Sequence, residues 1–303
     1  GYGEAPNQNL VTISDSTIEG NQVLSAGLPS SGGGLAFSFV NLTLLRSLIA
    51  NNVISGVGLP AMNVGGGLTV TNGAAIVANS TLSGNQVVGA DSWPHGVGGG
   101  LAVMADSLVT SVSLVNSTVA GNTAGQAGGG IYVRNDGGPR AELLFKNSIV
   151  AGNGVFTGPG ENCAIDSPDA HLVSLDHNLE DLDSCHFDQP SDQVNVDPKL
   201  GPLQDNGGPT RTHGLLDVSP AIDAAHDDTC AAPPISNMDQ RGVARPQGAH
   251  SDIGAYEVGE GVTAVQLNTL TSEPAPVPLP LVGASLLAMA GGLALLRRRG
   301  QSV

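Results

Sequence analysis

Aromatic side chains are nearly missing from this 303-residue chain: one Trp, three Tyr and five Phe, together 3%. Compact cores lean on such residues for buried area. An ordinary globular core is therefore excluded, and many small aliphatic side chains must be buried in layers instead. Charge is also scarce, at 13%, and it is one-sided, with 11 Lys and Arg against 27 Asp and Glu. No basic patch exists to neutralise phosphates, so nucleic acid is excluded as a partner. A 3.6-residue apolar period is lacking, while glycine (43 residues) and β-branched residues are frequent, which argues against helix. There are three cysteines and no C-x-x-C pair, which argues against a zinc site built on thiolates.

What is present is repetition. "DSTIEGN" (15–21), "RSLIANN" (46–52), "NSTLSGN" (79–85), "NSTVAGN" (116–122) and "NSIVAGN" (147–153) align on Asn21, Asn52, Asn85, Asn122 and Asn153, spaced 31, 33, 37 and 31 residues apart. Periods of this size mean stacked supersecondary units. "GGGLAF" (32–37), "GGGLTV" (65–70), "GGGLAV" (98–103) and "GGGIYV" (128–133) keep the same period. Serine recurs five times, as Ser16, Ser47, Ser80, Ser117 and Ser148. Ile18, Ile49, Leu82, Val119 and Val150 follow two residues later. Upstream, Ile13, Leu44, Val77, Leu114 and Phe145 form one column, and Val11, Leu42, Ala75, Val112 and Leu143 another.

Each pair of columns has the period of two of a strand. The two pairs are out of phase by one residue, which places a corner near Asp15, Arg46, Asn79, Asn116 and Asn147. Each unit reads as three short strands: one after the glycine triplet, one running into that corner and one ending at the asparagine. The expected fold is all-β: a right-handed parallel β-helix of about five recognisable coils over 1–160, about 24 Å long at one strand spacing per coil. The asparagines are expected in the left-handed conformation at a corner and stacked in an amide ladder, with the serines pointing inward beside them. These residues hold the coil rather than carry chemistry. Glycosylation of "NST" at Asn79 or Asn116 is the alternative use of the same letters.

Segments such as "QVLSAGLPSS" (22–31) and "QVVGADSWPHGV" (86–97) read as variable loops, and the only tryptophan, Trp93, stands in one beside His95. As an aromatic outside the layered core it is a candidate ligand contact, or else it covers the coil flank. Residues 1–153 carry seven acids and four bases, 154–260 nineteen and four. This acidic region, 161–258, is expected to cap the solenoid, because an open parallel edge invites aggregation. In an exported protein Cys163–Cys185 is the expected disulfide, worth roughly 3 kcal/mol by loop closure, with Cys230 left over. Arg241, Arg245, Asp252 and Glu257 read as a buried Arg–carboxylate arrangement. His171, His177, His186, His213, His226 and His250 are scattered without ligand spacing. No cofactor is expected, although "HDD" (226–228) could hold Ca²⁺ through oxygen ligands.

The tail, after a linker over 259–276, reads "EPAPVPLPLVGASLLAMAGGLALLRRRG" (273–300). Eighteen uncharged residues, Leu279 to Leu296, make a transmembrane candidate, and Arg297, Arg298 and Arg299 would stay cytoplasmic, leaving the upstream chain outside. Gly1 stands where the middle of a repeat would be, with no signal segment before it: either such a segment was removed or the sequence is a fragment.

"DPKLGPLQDNGGPTRTHGLLDVSPAIDAA" (197–225), "DQRGVARPQ" (239–247) and "SDIGAYE" (251–257) resemble the C-terminal half of bacterial choice-of-anchor Q proteins. The resemblance implies an exported right-handed β-helix with an interchangeable anchor and supplies no catalytic site. In that family a cysteine often precedes the D-I-G-A-[FY]-E element and pairs near the position of Cys230; here "AHSDIGAYE" has none. Val277, Pro278, Leu279 and Pro280, with the apolar run and Arg297–Arg299, resemble a PEP-CTERM signal of the V-P-L-P-A variety, with Leu281 in place of alanine. That resemblance implies an exosortase-like sorting enzyme as partner and the surface of a Gram-negative bacterium that makes exopolysaccharide. The expected function is a structural or adhesive role in the envelope or matrix. The alternative is a polysaccharide lyase or glycoside hydrolase on the same scaffold. The acids of the repeats, Glu4, Asp15, Glu19, Asp91, Asp106, Asp136 and Glu142, form no evident pair on adjacent coils of the kind such cleavage needs.

Overall fold

The computed structural model describes residues 9–26, 28–57, 62–88, 96–158 and 160–259. It is a parallel β-solenoid of about five turns, with one short helix, Asp227–Ala231, among the described residues. Sheet 1 stacks the strands Asn9–Ser14, Val40–Leu45, Ala74–Ala78, Thr110–Val115, Ala141–Lys146 and Ala170–Asp176, all parallel. Sheet 2 stacks Thr17–Glu19, Leu48–Ala50, Thr81–Ser83, Thr118–Ala120, Ile149–Ala151 and Leu179–Glu180. Sheet 3 runs from Gln22–Ala26 through Val53–Val57, Gln86–Val88 and Thr123–Ala124 to Gly154–Val155. Sheet 4 runs from Leu35–Ser38 through Leu68–Thr71, Leu101–Ala105 and Ile131–Asn135 to Cys163–Ile165.

The fourth strand of each coil corrects the three-strand expectation. Sheet 3 lies in segments read as variable loops. Each of its strands is two to five residues long, too short to display alternation. One inward residue per coil fixes it: Ile54, Val87 and Ala124 are fully buried, two positions after the ladder asparagine. Trp93, His95 and the rest of that loop's tip lie outside the described residues. So do the expected span 279–296 and the sorting residues Val277, Pro278, Leu279, Pro280, Arg297, Arg298 and Arg299. Among the described residues no helix is long and apolar enough to cross a membrane.

The interior is a set of aliphatic columns. In sheet 1, Leu42, Val112 and Leu143 are at most 2% exposed, and Leu44, Val77, Leu114 and Phe145 are fully buried. Sheet 2 adds Ile49, Leu82, Val119 and Val150, and sheet 4 adds Leu68, Leu101 and Ile131. Cys163 continues the sheet 4 column below Ile131, and Glu180 continues the sheet 2 column below Val150. The last coil thus places a disulfide sulfur and a carboxyl where earlier coils place aliphatic groups. Phe187 packs edge-on against Phe145 at 5.0 Å and closes that end.

Two polar columns run beside the apolar ones. Asn21 Nδ2 donates to Asn52 Oδ1 (2.8 Å), Asn52 to Asn85 (2.9 Å), Asn85 to Asn122 (2.9 Å) and Asn122 to Asn153 (3.0 Å). Each of these Oδ1 atoms also accepts the backbone N–H of the preceding asparagine. The ladder ends on Asn162, whose Nδ2 donates to Asp181. In the serine column, the backbone N–H of Ser16, Ser47, Ser80 and Ser117 donates to the hydroxyl one coil on, and Ser148 N–H donates to Asn178. Each serine hydroxyl in turn donates to a carbonyl two residues back. Buried polar groups with complete partners of this kind cost little and rigidify what they join.

The corners correct a second expectation. The ladder asparagines do not take positive φ. The residue before each does, at Gly20, Asn51, Gly84, Gly121 and Gly152 (φ 69°, 53°, 66°, 66°, 64°). At the other corner Asp15, Arg46, Asn79, Asn116 and Asn147 have φ of 45–50°. The third glycine of each triplet also has a reason not read from the sequence. A Cβ on Gly67 or Gly100 would stand 3.0 Å from the amide of Asn85 or Asn122. In the last coil Asn162 holds that place, and its own side chain extends the ladder.

Residues 161–258 do not act as one cap. Residues 163–196 add the last strands and close the end of the solenoid, tied by the disulfide Cys163–Cys185 (Cα–Cα 4.9 Å). Residues 197–258 instead form a strap along the corner between sheets 1 and 2, touching one coil after another. Arg211 pairs with Glu19, and Thr210 Oγ1 donates to the carbonyl of Arg46. Asn79 Nδ2 donates to the Met238 carbonyl, and Thr81 Oγ1 to Gln240 Oε1. Asn116 Nδ2 donates to Cys230 Sγ, and Asn147 exchanges bonds with the backbone of His226. The corner asparagines, left-handed by φ, thus spend their amides on the strap. Asn79 and Asn116 are fully buried beneath it, which removes the glycosylation alternative for the folded chain.

Candidate functional site

The strap and sheet 1 border an open concavity. Its floor is the outer face of sheet 1, with Ile76, Ser113, Leu144, Lys146 and Leu175. Its wall is the strap, with Thr229, Pro233 and Pro234; the volume is about 450 Å³. Ile76 is 40% and Leu175 47% exposed, so the floor offers apolar surface to solvent. His226 and Asp228 also line an adjoining cavity of about 410 Å³ with His177, Asp223, Asp227 and His250. Together they make one groove, apolar along the sheet and polar at the end of the solenoid.

The polar end was not legible as a cluster in the sequence. His177 follows the last strand of sheet 1, His226 precedes the short helix, and His250 lies in the loop before Asp252. The rings of His177 and His226 meet edge to face, with centroids 5.3 Å apart. His250 Nδ1 is 2.8 Å from Asp227 Oδ2, and this partner raises its pKa above the ordinary histidine value. Asp227 sits below the usual carboxylate value although its partial burial acts the other way, because His250 and Ser251 donate to it. These three histidines are therefore not scattered, as their spacing had implied. Of "HDD", Asp227 and Asp228 both line this cavity.

His213 and His186 lie apart from it. His213 is half-buried, its ring nitrogens 2.7 Å from the Gly201 carbonyl and 2.9 Å from Ser83 Oγ, and burial holds its pKa low. A neutral ring, donating from Nδ1 and accepting at Nε2, satisfies both contacts. His186 lies by the disulfide, in a shallow cavity with Cys163 and Ser184.

The arginine–carboxylate reading resolves into two pairs. Arg245 meets Glu257 at 3.0 Å with both side chains fully buried, and Arg241 meets Asp239 at 2.7 Å. Arg241 also lies over the Tyr256 ring, 3.6 Å from its centroid. Arg245 further donates to the carbonyls of Asp252 and Gly254, and Glu257 accepts N–H groups from Gln247 and Asp252. Burial pushes the carboxyls of Asp252 and Glu257 up against the pull of Arg245. The function of this network is internal, since it fixes the fold of the strap.

Four of the acids of the repeats are held by neighbours. Asp15 pairs with Arg46, Glu19 with Arg211 and Asn51, Asp136 with Arg134, and Glu142 with Arg140 and Ser111. Coil geometry defines the class of fold, the parallel β-solenoid. No protein-family model, curated protein or solved structure matches the chain.

Proposed function

We propose that the chain is an exported, surface-anchored β-solenoid protein with a structural or adhesive role in the cell envelope or exopolysaccharide matrix. The observation that carries this reading is the Cys163–Cys185 disulfide closing the end of the solenoid. Such bonds form and persist in oxidising compartments. The ladders add to it. A rod whose buried amides and hydroxyls are bonded from coil to coil suits a scaffold that must keep its shape outside the cell. The groove on sheet 1 offers apolar and hydroxyl surface for contact with an extended polymer. Right-handed winding, the choice-of-anchor Q likeness, and a membrane helix with a sorting signal at Val277–Pro280 belong to this proposal and rest on the sequence.

The test is to incubate the purified chain with exopolysaccharide from the organism that encodes it. Co-sedimentation without change in polymer length is the expected result. Shortening of the polymer would favour the alternative, a lyase or hydrolase. For the anchor, fractionation and mass spectrometry of the mature C-terminus are expected to find the chain in the envelope, ending near Pro280. Recovery from the cytoplasm with reduced cysteines would overturn the reading.

A further inference from the structure

The two ends of the solenoid are finished differently. At the far end the asparagine ladder stops on Asn162 and Asp181, the serine column stops on Asn178, and Phe187 packs over Phe145. At the near end the strands Asn9–Ser14, Thr17–Glu19 and Gln22–Ala26 are paired along one edge only among the described residues, the edge facing the second coil. The apolar columns are open there. Val11, Ile13, Ile18, Leu35 and Phe37 are partly buried, whereas Leu42, Leu44, Ile49, Leu68 and Val70, one coil on, are at most 2% exposed. We propose that this first-coil face is an interaction surface that receives a parallel β-coil of another polypeptide segment, carrying serine and asparagine five residues apart.

The direction of the ladders sets the chemistry of the partner. Each ladder Oδ1 accepts twice from the coil before it, as Asn52 Oδ1 takes the N–H and the Nδ2 of Asn21. Each serine hydroxyl accepts the N–H of the serine before it, as Ser47 does from Ser16. Between these, the N–H groups of Leu48 and Val53 donate back to the carbonyls of Ser16 and Asn21. The corresponding groups of the first coil are Asn21 Oδ1, Ser16 Oγ and the N–H groups of Thr17 and Gln22. None of the four makes its backward bond among the described residues. They ask for the N–H of a serine, the N–H and Nδ2 of an asparagine five residues later, and the carbonyls of both. A parallel coil of the same repeat supplies all of these together, and its inward side chains cover the open columns. A second copy of this chain does not. Placed head to tail, it offers the far end, which residues 163–196 close. Placed face to face, its strands run antiparallel, so at most one column meets its own kind. An unpaired edge is a template for another strand, and here the main chain would supply the affinity and the serine and asparagine columns the register.

The experiment uses the full chain with its disulfide intact. The probe is a peptide with the sequence of residues 40–57, which holds the sheet 1, sheet 2 and sheet 3 strands of one coil. Binding is measured by calorimetry, and amide hydrogen exchange is followed with and without the peptide. In the chain alone the Thr17 and Gln22 amides should exchange without protection. With the peptide, one copy per chain and new protection at both amides are expected. The same peptide carrying Asn52→Ala lacks the Nδ2 donor for Asn21 and is expected to bind at least about fivefold more weakly. Asn21→Ala in the chain is expected to weaken the unaltered peptide at least as much, while its circular dichroism stays that of the parent. The proposal is overturned by no protection of Thr17 and Gln22 at millimolar peptide, or by equal binding of the two peptides. It is equally overturned if both amides are already protected in the chain alone, whether it sediments as a monomer or as a dimer.

Discussion

The coils and the strap solve the same problem, polar groups under cover, with different chemistry. The coils bury neutral amides and hydroxyls in columns, each bonded to its copy one turn away. The strap has no copy of itself to lean on, and it buries full charges, Arg245 with Glu257 and Arg241 with Asp239. A repeated structure can satisfy a buried group by translation. A unique structure needs a specific complementary partner, and a planar guanidinium meets several acceptors at once. The difference teaches where fragility lies. Losing one rung of a ladder leaves the neighbouring side-chain amide a second partner, as Asn52 Nδ2 keeps the Ile18 carbonyl, whereas losing one buried ion leaves its partner's charge uncompensated.

The largest expected effect follows from that contrast. Arg245→Ala strands the Glu257 carboxylate and empties two backbone acceptors, and should cost about 3–5 kcal/mol. Urea unfolding measures the loss, and limited proteolysis should cut within 197–258 before it cuts the coils. Cleavage of the coils first would break the comparison. Next, Asn85→Ala removes the acceptor of the buried Asn52 N–H, one of the two bonds made by Asn52 Nδ2 and the side-chain donor to the Ile49 carbonyl, at a cost of about 2–4 kcal/mol. The same change at Asn21, exposed at the first rung, should cost less than about 1 kcal/mol. Equal losses at the two positions would show that the ladder is not cooperative.

Glu180 sharpens the contrast because it is a carboxyl placed in an apolar column of the coils. Burial pushes its pKa from 4.5 up to about 7, although Cys185 N–H, Ser184 N–H and Asn162 donate to it. The folded chain keeps this proton between those two values while the unfolded chain has released it. Its contribution is therefore most favourable below pH 4.5, falls as pH rises to 7, and is level above. Glu180→Gln should flatten that slope and raise stability above neutral pH by about 2–3 kcal/mol, read as melting temperature against pH. A slope unchanged by the substitution would count against the buried carboxyl as its source. The smallest effect is at the surface. Arg46→Ala removes a half-exposed pair with Asp15 and should cost less than about 1 kcal/mol, vanishing in high salt.

The period, the inward columns, the corner at Asn79, Asn116 and Asn147, and the Cys163–Cys185 bond could all be read before the fold was known. Each is a local or repeating signal. What escaped was of two kinds. Sheet 3 was hidden because a strand of two residues, such as Thr123–Ala124, has no alternation to display. The course of the strap and the gathering of His177, His226 and His250 were hidden because they depend on one-off contacts between residues far apart in sequence. The left-handed residue was misplaced by one position, since the asparagine that forms the ladder stands next to the residue that turns the chain, glycine in four coils and Asn51 in the other.

The pairing of the third glycine with the ladder amide has an evolutionary corollary. The carboxamide of Asn85 or Asn122 fills the room that the hydrogen of Gly67 or Gly100 leaves open, so a side chain at either glycine would meet the ladder. A lineage that lengthens this protein by duplicating a turn inherits lock and key together, and the new turn fits wherever it is spliced. A side chain at Gly67 or Gly100 would also meet the backbone carbonyl of the next turn, at 2.6 or 2.8 Å, so the glycine stays closed to substitution even where the asparagine has changed.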